Sequence, residues 1–222
     1  MMKELIRWKN HKTRKPLVLQ GARQVGKTWL VKEFGRTEFQ NTVYINFDRQ
    51  KELGPIFEES LDPNRIIQAL EIISGEKIVP GDSLIIFDEV QEEPRALASL
   101  KYFQEERPEY AIVATGSFMG IALHEGTSFP VGKVEMMTLN PMSFREFLCA
   151  LGNEAMERIL TEKDMVMIQS LKRSFIEQLK SYYIVGGMPE VVLSFIETRD
   201  YNRVREKQEL LLDYYKIGRA HV

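Results

Sequence analysis

The chain has 222 residues, 44% of them apolar and 28% charged, which is enough for one sizeable core with a smaller appendage. A net charge of −2 gives no global pull towards nucleic acid or an anionic membrane surface, and a single cysteine, Cys149, excludes an internal disulfide or multi-cysteine metal centre. His11, His124 and His221 are scattered, no stretch reaches the roughly 18 apolar residues of a membrane span, and no signal-peptide core opens the chain, so a cytoplasmic location without membrane contact is expected.

Met2 to Lys9 has helical spacing, with Leu5, Ile6, Trp8 and the Lys9 stem inward. Lys12, Arg14 and Lys15 read as a solvated basic linker into an apolar strand, Pro16 to Gln20. Gly21 to Thr28 form a glycine-bounded loop, and a helix is expected over Lys27 to Phe34. Thr42 to Phe47 reads as a second strand. Asp62-Pro63 supplies a cap and a first-turn proline for a helix burying Ile66, Ile67, Leu70 and Ile73. Pro80-Gly81-Asp82 turns into a third strand, Ser83 to Phe87.

A helix follows from Pro94 to Glu106, ended by Pro108, then a fourth strand from Tyr110 to Thr115. A loop with Gly116, Gly120, Gly126 and Pro130 leads to a fifth strand, Lys133 to Leu139. Strands alternating with helices indicate an α/β sandwich with a mainly parallel sheet. From Ser143 onward only helices are expected: Met142 to Leu151, Glu154 to Tyr183 and Met188 to Tyr215, interrupted at Gly186-Gly187. Cys149, after Leu148, reads as a small core residue.

Gly21-Ala22-Arg23-Gln24-Val25-Gly26-Lys27-Thr28 matches G-x-x-x-x-G-K-[ST] in full, between a strand and a helix. Glycine at both ends lets backbone N–H groups close on phosphate oxygens, and the helix N-terminus adds partial positive charge. Lys27 can reach the β- and γ-phosphates and the Thr28 hydroxyl can ligate Mg²⁺. The candidate nucleotide-binding set is therefore Gly21 to Thr28 with the next helical residue, Trp29.

Leu84 to Phe87 is an apolar strand running into Asp88-Glu89. Paired with the loop, Asp88 is the candidate Mg²⁺ acid and Glu89 the candidate base that polarises an attacking water. At the end of the fourth strand, Thr115 or Ser117 could sense the γ-phosphate, position the lytic water or cap a turn, and the sequence does not choose between them. A neutralising cation could come from Arg23, Lys133, Arg145, Arg173 or a neighbouring subunit, with Arg23 read as a residue that shapes the loop. Hydrolysis of a nucleoside triphosphate with Mg²⁺ is expected. A non-hydrolysing nucleotide-binding module and a small-molecule P-loop kinase are the alternatives.

GARQVGKT, Phe87 to Pro94 (FDEVQEEP), Ala114 to Ser117, Ser128 to Val134, Leu139 to Leu148 and Gly186 to Val192 occur in an order that resembles a family of prokaryotic AAA-superfamily ATPases. These are related to archaeal-type and STAND NTPases and carry a C-terminal domain of unknown function. The resemblance implies a P-loop NTPase three-layer sandwich, sheet order 5-1-4-3-2, with Walker A and Walker B motifs as assigned above. It divides the chain into an ATPase core over 1–141 and a helical lid with the start of a C-terminal region over 142–216. It also implies a nucleotide-driven switch of the attached domain; a DNA or protein partner through that domain and a homo-oligomer are left open.

The family's usual arginine after the SFPVG glycine is Lys133 here, which keeps the charge but loses the bidentate fork. The last six residues, 217–222, resemble the translation of a sequencing-adapter oligonucleotide, so a truncated chain whose native part ends near Lys216 is expected. Leu210, Leu211, Leu212 and Tyr214 would then form an exposed apolar face.

Overall fold

The computed structural model describes residues 1–117 and 129–217; Gly120, Gly126 and the suspected foreign tail from Gly218 onward lie outside the described residues. Two compact units are present, Met1–Ala22 with Gly26–Leu139, and Arg23–Val25 with Asn140–Val222.

In the first unit the expected strands form at β1 (Leu17–Gly21), β2 (Asn41–Asn46), β3 (Ser83–Asp88), β4 (Ala111–Ser117) and β5 (Glu135–Leu139). All neighbours are parallel, in the order β2-β3-β4-β1-β5, which is the expected order read from the opposite edge. Helices α1 (Met2–Lys9), α2 (Lys27–Glu38), α3 (Gly54–Glu59), α4 (Pro63–Ser74) and α5 (Pro94–Glu106) complete the unit among the described residues.

Because side chains alternate along a strand, the four strands β1 to β4 feed two cores. Val43, Ile45, Ile85, Phe87, Ile112 and Ala114 pack with the buried residues of α3, α4 and α5 on one face. There Phe47, Phe57 and Phe87 meet edge to face, with centroids 5.5–5.7 Å apart. On the other face Leu17, Leu19, Leu84, Ile86, Ala111 and Val113 pack with Leu5 and Trp8 of α1 and Leu30, Val31 and Phe34 of α2. Gly35 lets α2 lie close on β2, since a Cβ there would meet the Thr42 hydroxyl oxygen at 2.5 Å.

Several expectations are corrected here. Helix α4 starts where Asp62 accepts the Asn64 N–H at 2.9 Å and stops at Gly75 (φ 72°), yet Ile73 is 43% exposed. Residues 72–77 all face solvent, so its last turn runs past the packed segment. The basic run is not a free linker. Arg14 donates to the Lys9 and Glu109 carbonyls and lies over Trp8, while Lys15 Nζ donates to the Gly132 carbonyl at 2.7 Å.

The second unit begins with α6 (Phe144–Ala150), whose N-terminus carries a full capping box between Ser143 and Glu146. The two long helices expected after it are five: α7 (Glu154–Glu162), α8 (Met165–Ser170), α9 (Lys172–Val185), α10 (Pro189–Thr198) and α11 (Tyr201–Ile217). The breaks fall at Lys163 (φ 55°) and Arg199 (φ 52°), left-handed positions without the glycine that normally marks them, and at Leu171. The core joins Phe147, Val185, Val191, Val192, Phe195, Val204 and Leu211.

Gly187 is required by a close approach. Its carbonyl accepts the Met142 N–H at 2.7 Å, and a Cβ there would sit 2.1 Å from the Met142 oxygen. Two further expectations change: Leu211 is buried while Leu210, Leu212 and Tyr214 are exposed, and Cys149 lies on the exposed side of α6. Among the described residues no helix is long and apolar enough to cross a membrane.

Candidate functional site

The C-terminal ends of the strands bring the sequence-selected residues to one sheet edge. Gly21 ends β1 beside Ser117 of β4, and Asp88 ends β3 beside Asn46 of β2. The alternation that sends Leu84 and Ile86 to the α2 face sends Asp88 there too. Val113 on β4 does the same for Thr115. On β2 the residues between Val43, Ile45 and Phe47 are Tyr44 and Asn46, so they share that face. Helix α2 begins on it, with Thr28 in its first turn.

The loop reaches that helix through two left-handed positions, Gln24 (φ 61°) and Gly26 (φ 97°), the second forming the helix N-cap. Lys27 is buried, and its ammonium donates to the carbonyls of Gly21 at 3.0 Å and Ala22 at 2.8 Å. Those bonds draw the loop around the helix N-terminus, where unpaired backbone N–H groups and the helix dipole favour an anion. Val25 packs inward, whereas Arg23, Gln24 and Trp29 are exposed, Trp29 by 69%.

Asp88 is the electrostatic centre of the edge. It is 1% exposed, and its carboxylate is met by hydroxyl and amide donors. Thr28 Oγ1 lies 2.9 Å from Oδ2 and 3.2 Å from Oδ1. Tyr44 donates to Oδ2 at 2.6 Å, Asn46 Nδ2 to the same oxygen at 3.3 Å, and the fully buried Thr115 hydroxyl to Oδ1. Asn46 also donates to the Tyr44 oxygen at 3.1 Å. The Tyr44 phenol is pushed up to about 12, first by burial and then by its bond to Asp88, so it stays a donor at neutral pH.

A buried carboxylate next to a hydroxyl at a helix N-terminus is a hard-oxygen donor set that suits Mg²⁺. Among the described residues no group of three or more His, Cys, Asp or Glu could hold a metal by itself. An ion held by one or two carboxylates together with substrate phosphates does not require such a group.

Glu89 follows in a left-handed conformation (φ 54°, ψ 45°) at the strand end, which turns its side chain out of the β3 register. Its carboxylate accepts the Gln91 amide at 2.5 Å. Thr115, left open as a sensor or a cap, is committed to Asp88. Ser117 lies two residues on, 9% exposed, at the same edge.

The cation candidates separate. Lys133 precedes β5, whose first residue pairs with Leu17 at the other end of β1, and it is bound to Glu105 at 2.9 Å. Four strand steps, about 13 Å, thus separate that end of the sheet from Gly21, which removes Lys133 as a phosphate contact. Arg145 is paired with Glu157 on α6 and α7, and Arg173 with Glu177 on α9. Sequence reasoning missed Tyr44, Asn46 and Gln91. The alternation in Thr42 to Phe47 placed Tyr44 and Asn46 on one face, but only the β2–β3 register puts them on Asp88.

Comparisons with known proteins bear on the family and the fold. A family described as an AAA domain matches residues 13–148. The Walker-type ATPase PABY2304 of Pyrococcus abyssi is similar in structure, with TM-score 0.58 and 14% identity over 99% of this chain and 73% of that one. Drosophila ORC bound to DNA gives TM-score 0.54 and 14% identity over 95% of this chain and 66% of that one. PCH-2 of C. elegans (TM-score 0.41, 15% identity) and the Aeropyrum pernix ORC1 protein in complex with DNA (TM-score 0.44, 15% identity) match over 70% of this chain and about half of their own length, 45% and 47%. No curated protein matches it in sequence. Its matched region covers more than half of its length and contains the loop, Asp88 and the strand order just described, so the chain belongs to this AAA-domain family of P-loop ATPases.

Proposed function

We propose that the chain binds ATP with Mg²⁺ at Gly21 to Trp29 and hydrolyses it, with Asp88 as the cation-holding acid and Glu89 as the base. The observation that supports this best is the buried Asp88 carboxylate meeting the Thr28 hydroxyl beside the Lys27 loop, with Glu89 next in the chain. When bound, Mg²⁺ neutralises charge on the β- and γ-phosphates.

Each residue then has a defined task. Backbone N–H groups of Gly21 to Thr28 hold phosphate oxygens, and the Lys27 ammonium supplies a positive charge beside them. Thr28 and Asp88 would hold the cation, and Thr115 keeps Asp88 oriented. A Glu89 carboxylate oxygen takes the proton of the attacking water as it adds to the γ-phosphorus, and the β–γ bridging bond breaks to give ADP and phosphate. No acceptor other than water is required. Adenine is favoured by membership of an ATPase family.

A second reading, nucleotide binding without turnover, has one observation in its favour: the Glu89 carboxylate is engaged by the Gln91 amide. Phosphate release from ATP in the absence of any acceptor separates the two. Release that requires Mg²⁺ and is lost in Glu89→Gln supports hydrolysis; tight ATP binding with no release supports the second reading.

The proposal extends to a switch in which nucleotide state changes the helical unit or a domain attached to it, and to a DNA or protein partner or self-association. Drosophila ORC, a fold neighbour, is bound to DNA. Turnover measured with and without DNA, beside the mass of the particle in solution, tests that extension.

A further inference from the structure

The Tyr44 hydroxyl has no place among the phosphate-handling groups, yet at Oδ2 of Asp88 it lies closer, at 2.6 Å, than Thr28 at 2.9 Å or Asn46 at 3.3 Å. Three features fix it there. Residue alternation on β2 aims it at the α2 face, and the parallel register sets Asn46 opposite Asp88. Asn46 donates to the phenol oxygen at 3.1 Å, which orients the O–H onto Asp88. Lys32 of α2 lies 3.6 Å from the ring centroid and covers its face. The ring is therefore held from both ends while the carboxylate itself is carried on a single χ1–χ2 pair.

A cation-holding carboxylate needs its plane fixed by groups that do not themselves bind the ion. Thr28 cannot serve, because its hydroxyl is one of the groups that would turn to the cation. Thr115 holds Oδ1 and leaves Oδ2 to β2. We propose that Tyr44 is a positioning residue that holds the Asp88 carboxylate for the divalent cation, so that cation affinity at the loop depends on a phenol hydroxyl supplied by the edge strand. This rests on the assignment of Asp88 to the cation made above.

Tyr44→Phe keeps the ring and removes only the hydroxyl. Binding of a fluorescent ATP analogue is measured in EDTA and across a Mg²⁺ titration, and Mn²⁺ binding to the nucleotide complex is followed by electron paramagnetic resonance. In Tyr44→Phe the apparent Mn²⁺ and Mg²⁺ affinities are expected to fall about 10-fold or more, within the range for loss of a group that orients a ligand, while nucleotide affinity in EDTA is unchanged. Asp88→Asn is measured alongside.

Unchanged cation affinity in Tyr44→Phe, with a large loss in Asp88→Asn, overturns the role of Tyr44 and leaves that of Asp88 standing. Equal losses with and without cation in Tyr44→Phe identify a general packing role and also overturn it. Unchanged cation affinity in Asp88→Asn removes the assignment of Asp88, and the role of Tyr44 with it.

Discussion

Replacing Thr115 by valine keeps the β-branched shape and removes one hydroxyl. Thr115 is fully buried and donates to Asp88 Oδ1, so the change opens little space and reads mainly the hydrogen bond. A hydrogen bond to a charged group contributes about 1.5–3 kcal/mol. Oδ1 keeps Thr28 Oγ1 at 3.2 Å and Oδ2 keeps Tyr44 at 2.6 Å, so the carboxylate is not left bare and the lower end applies. The expected cost is about 1.5 kcal/mol, which for a chain of this size is a fall in Tm of about 3–6 °C. Urea unfolding and calorimetry of the nucleotide-free protein, beside the Mg²⁺ dependence of nucleotide binding, are the assays. A less stable protein with weakened cation dependence is expected. If valine leaves stability unchanged and only slows phosphate release, Thr115 senses phosphate and does not support Asp88.

Glu89→Gln, nearly isosteric at the same left-handed position, should lower turnover about 10²–10⁴-fold with ATP affinity retained; phosphate release as fast as the parent's removes Glu89 as the base. Lys27→Ala should abolish nucleotide binding measured by calorimetry, since it deletes the one buried ammonium of the loop. Gly187→Ala must displace the Met142 backbone, at a cost of about 1–3 kcal/mol, and should loosen the helical unit to limited proteolysis while ATP binding at the loop persists. Glu93 supplies a pH test. Burial raises its carboxyl above the usual range, so the ionised form is the less favoured one in the fold, and its contribution is full below the unfolded pKa and lost as pH rises through the folded value. Glu93→Gln, which keeps an acceptor for the Arg95 N–H, should therefore melt slightly higher than the parent at pH 7 and level with it near pH 4.

The loop, the Asp88-Glu89 pair and the parallel α/β class could be read from the chain because each is local: glycine spacing, an apolar run ending in acids, and a repeated strand–helix rhythm; the strand order came only with the family resemblance. What escaped was set by pairing at a distance. Tyr44 looked like an ordinary strand aromatic until the β2–β3 register put its hydroxyl on Asp88. Lys133 looked like a phosphate-binding cation until its place before β5 put it at the far end of the sheet. The helical half was over-joined because Lys163 and Arg199 take left-handed turns with no glycine to signal them. Cys149 and Ile73 followed apolar neighbours in sequence, but the faces they occupy are left uncovered.

The most direct test of the site is release of labelled phosphate from ATP by the purified chain, with no added acceptor, in Mg²⁺ and in EDTA. Release that requires Mg²⁺ and vanishes in both Lys27→Ala and Asp88→Asn is the expected result. Release that persists in either variant, or in EDTA, would contradict the assignment of the chemistry to this loop and strand.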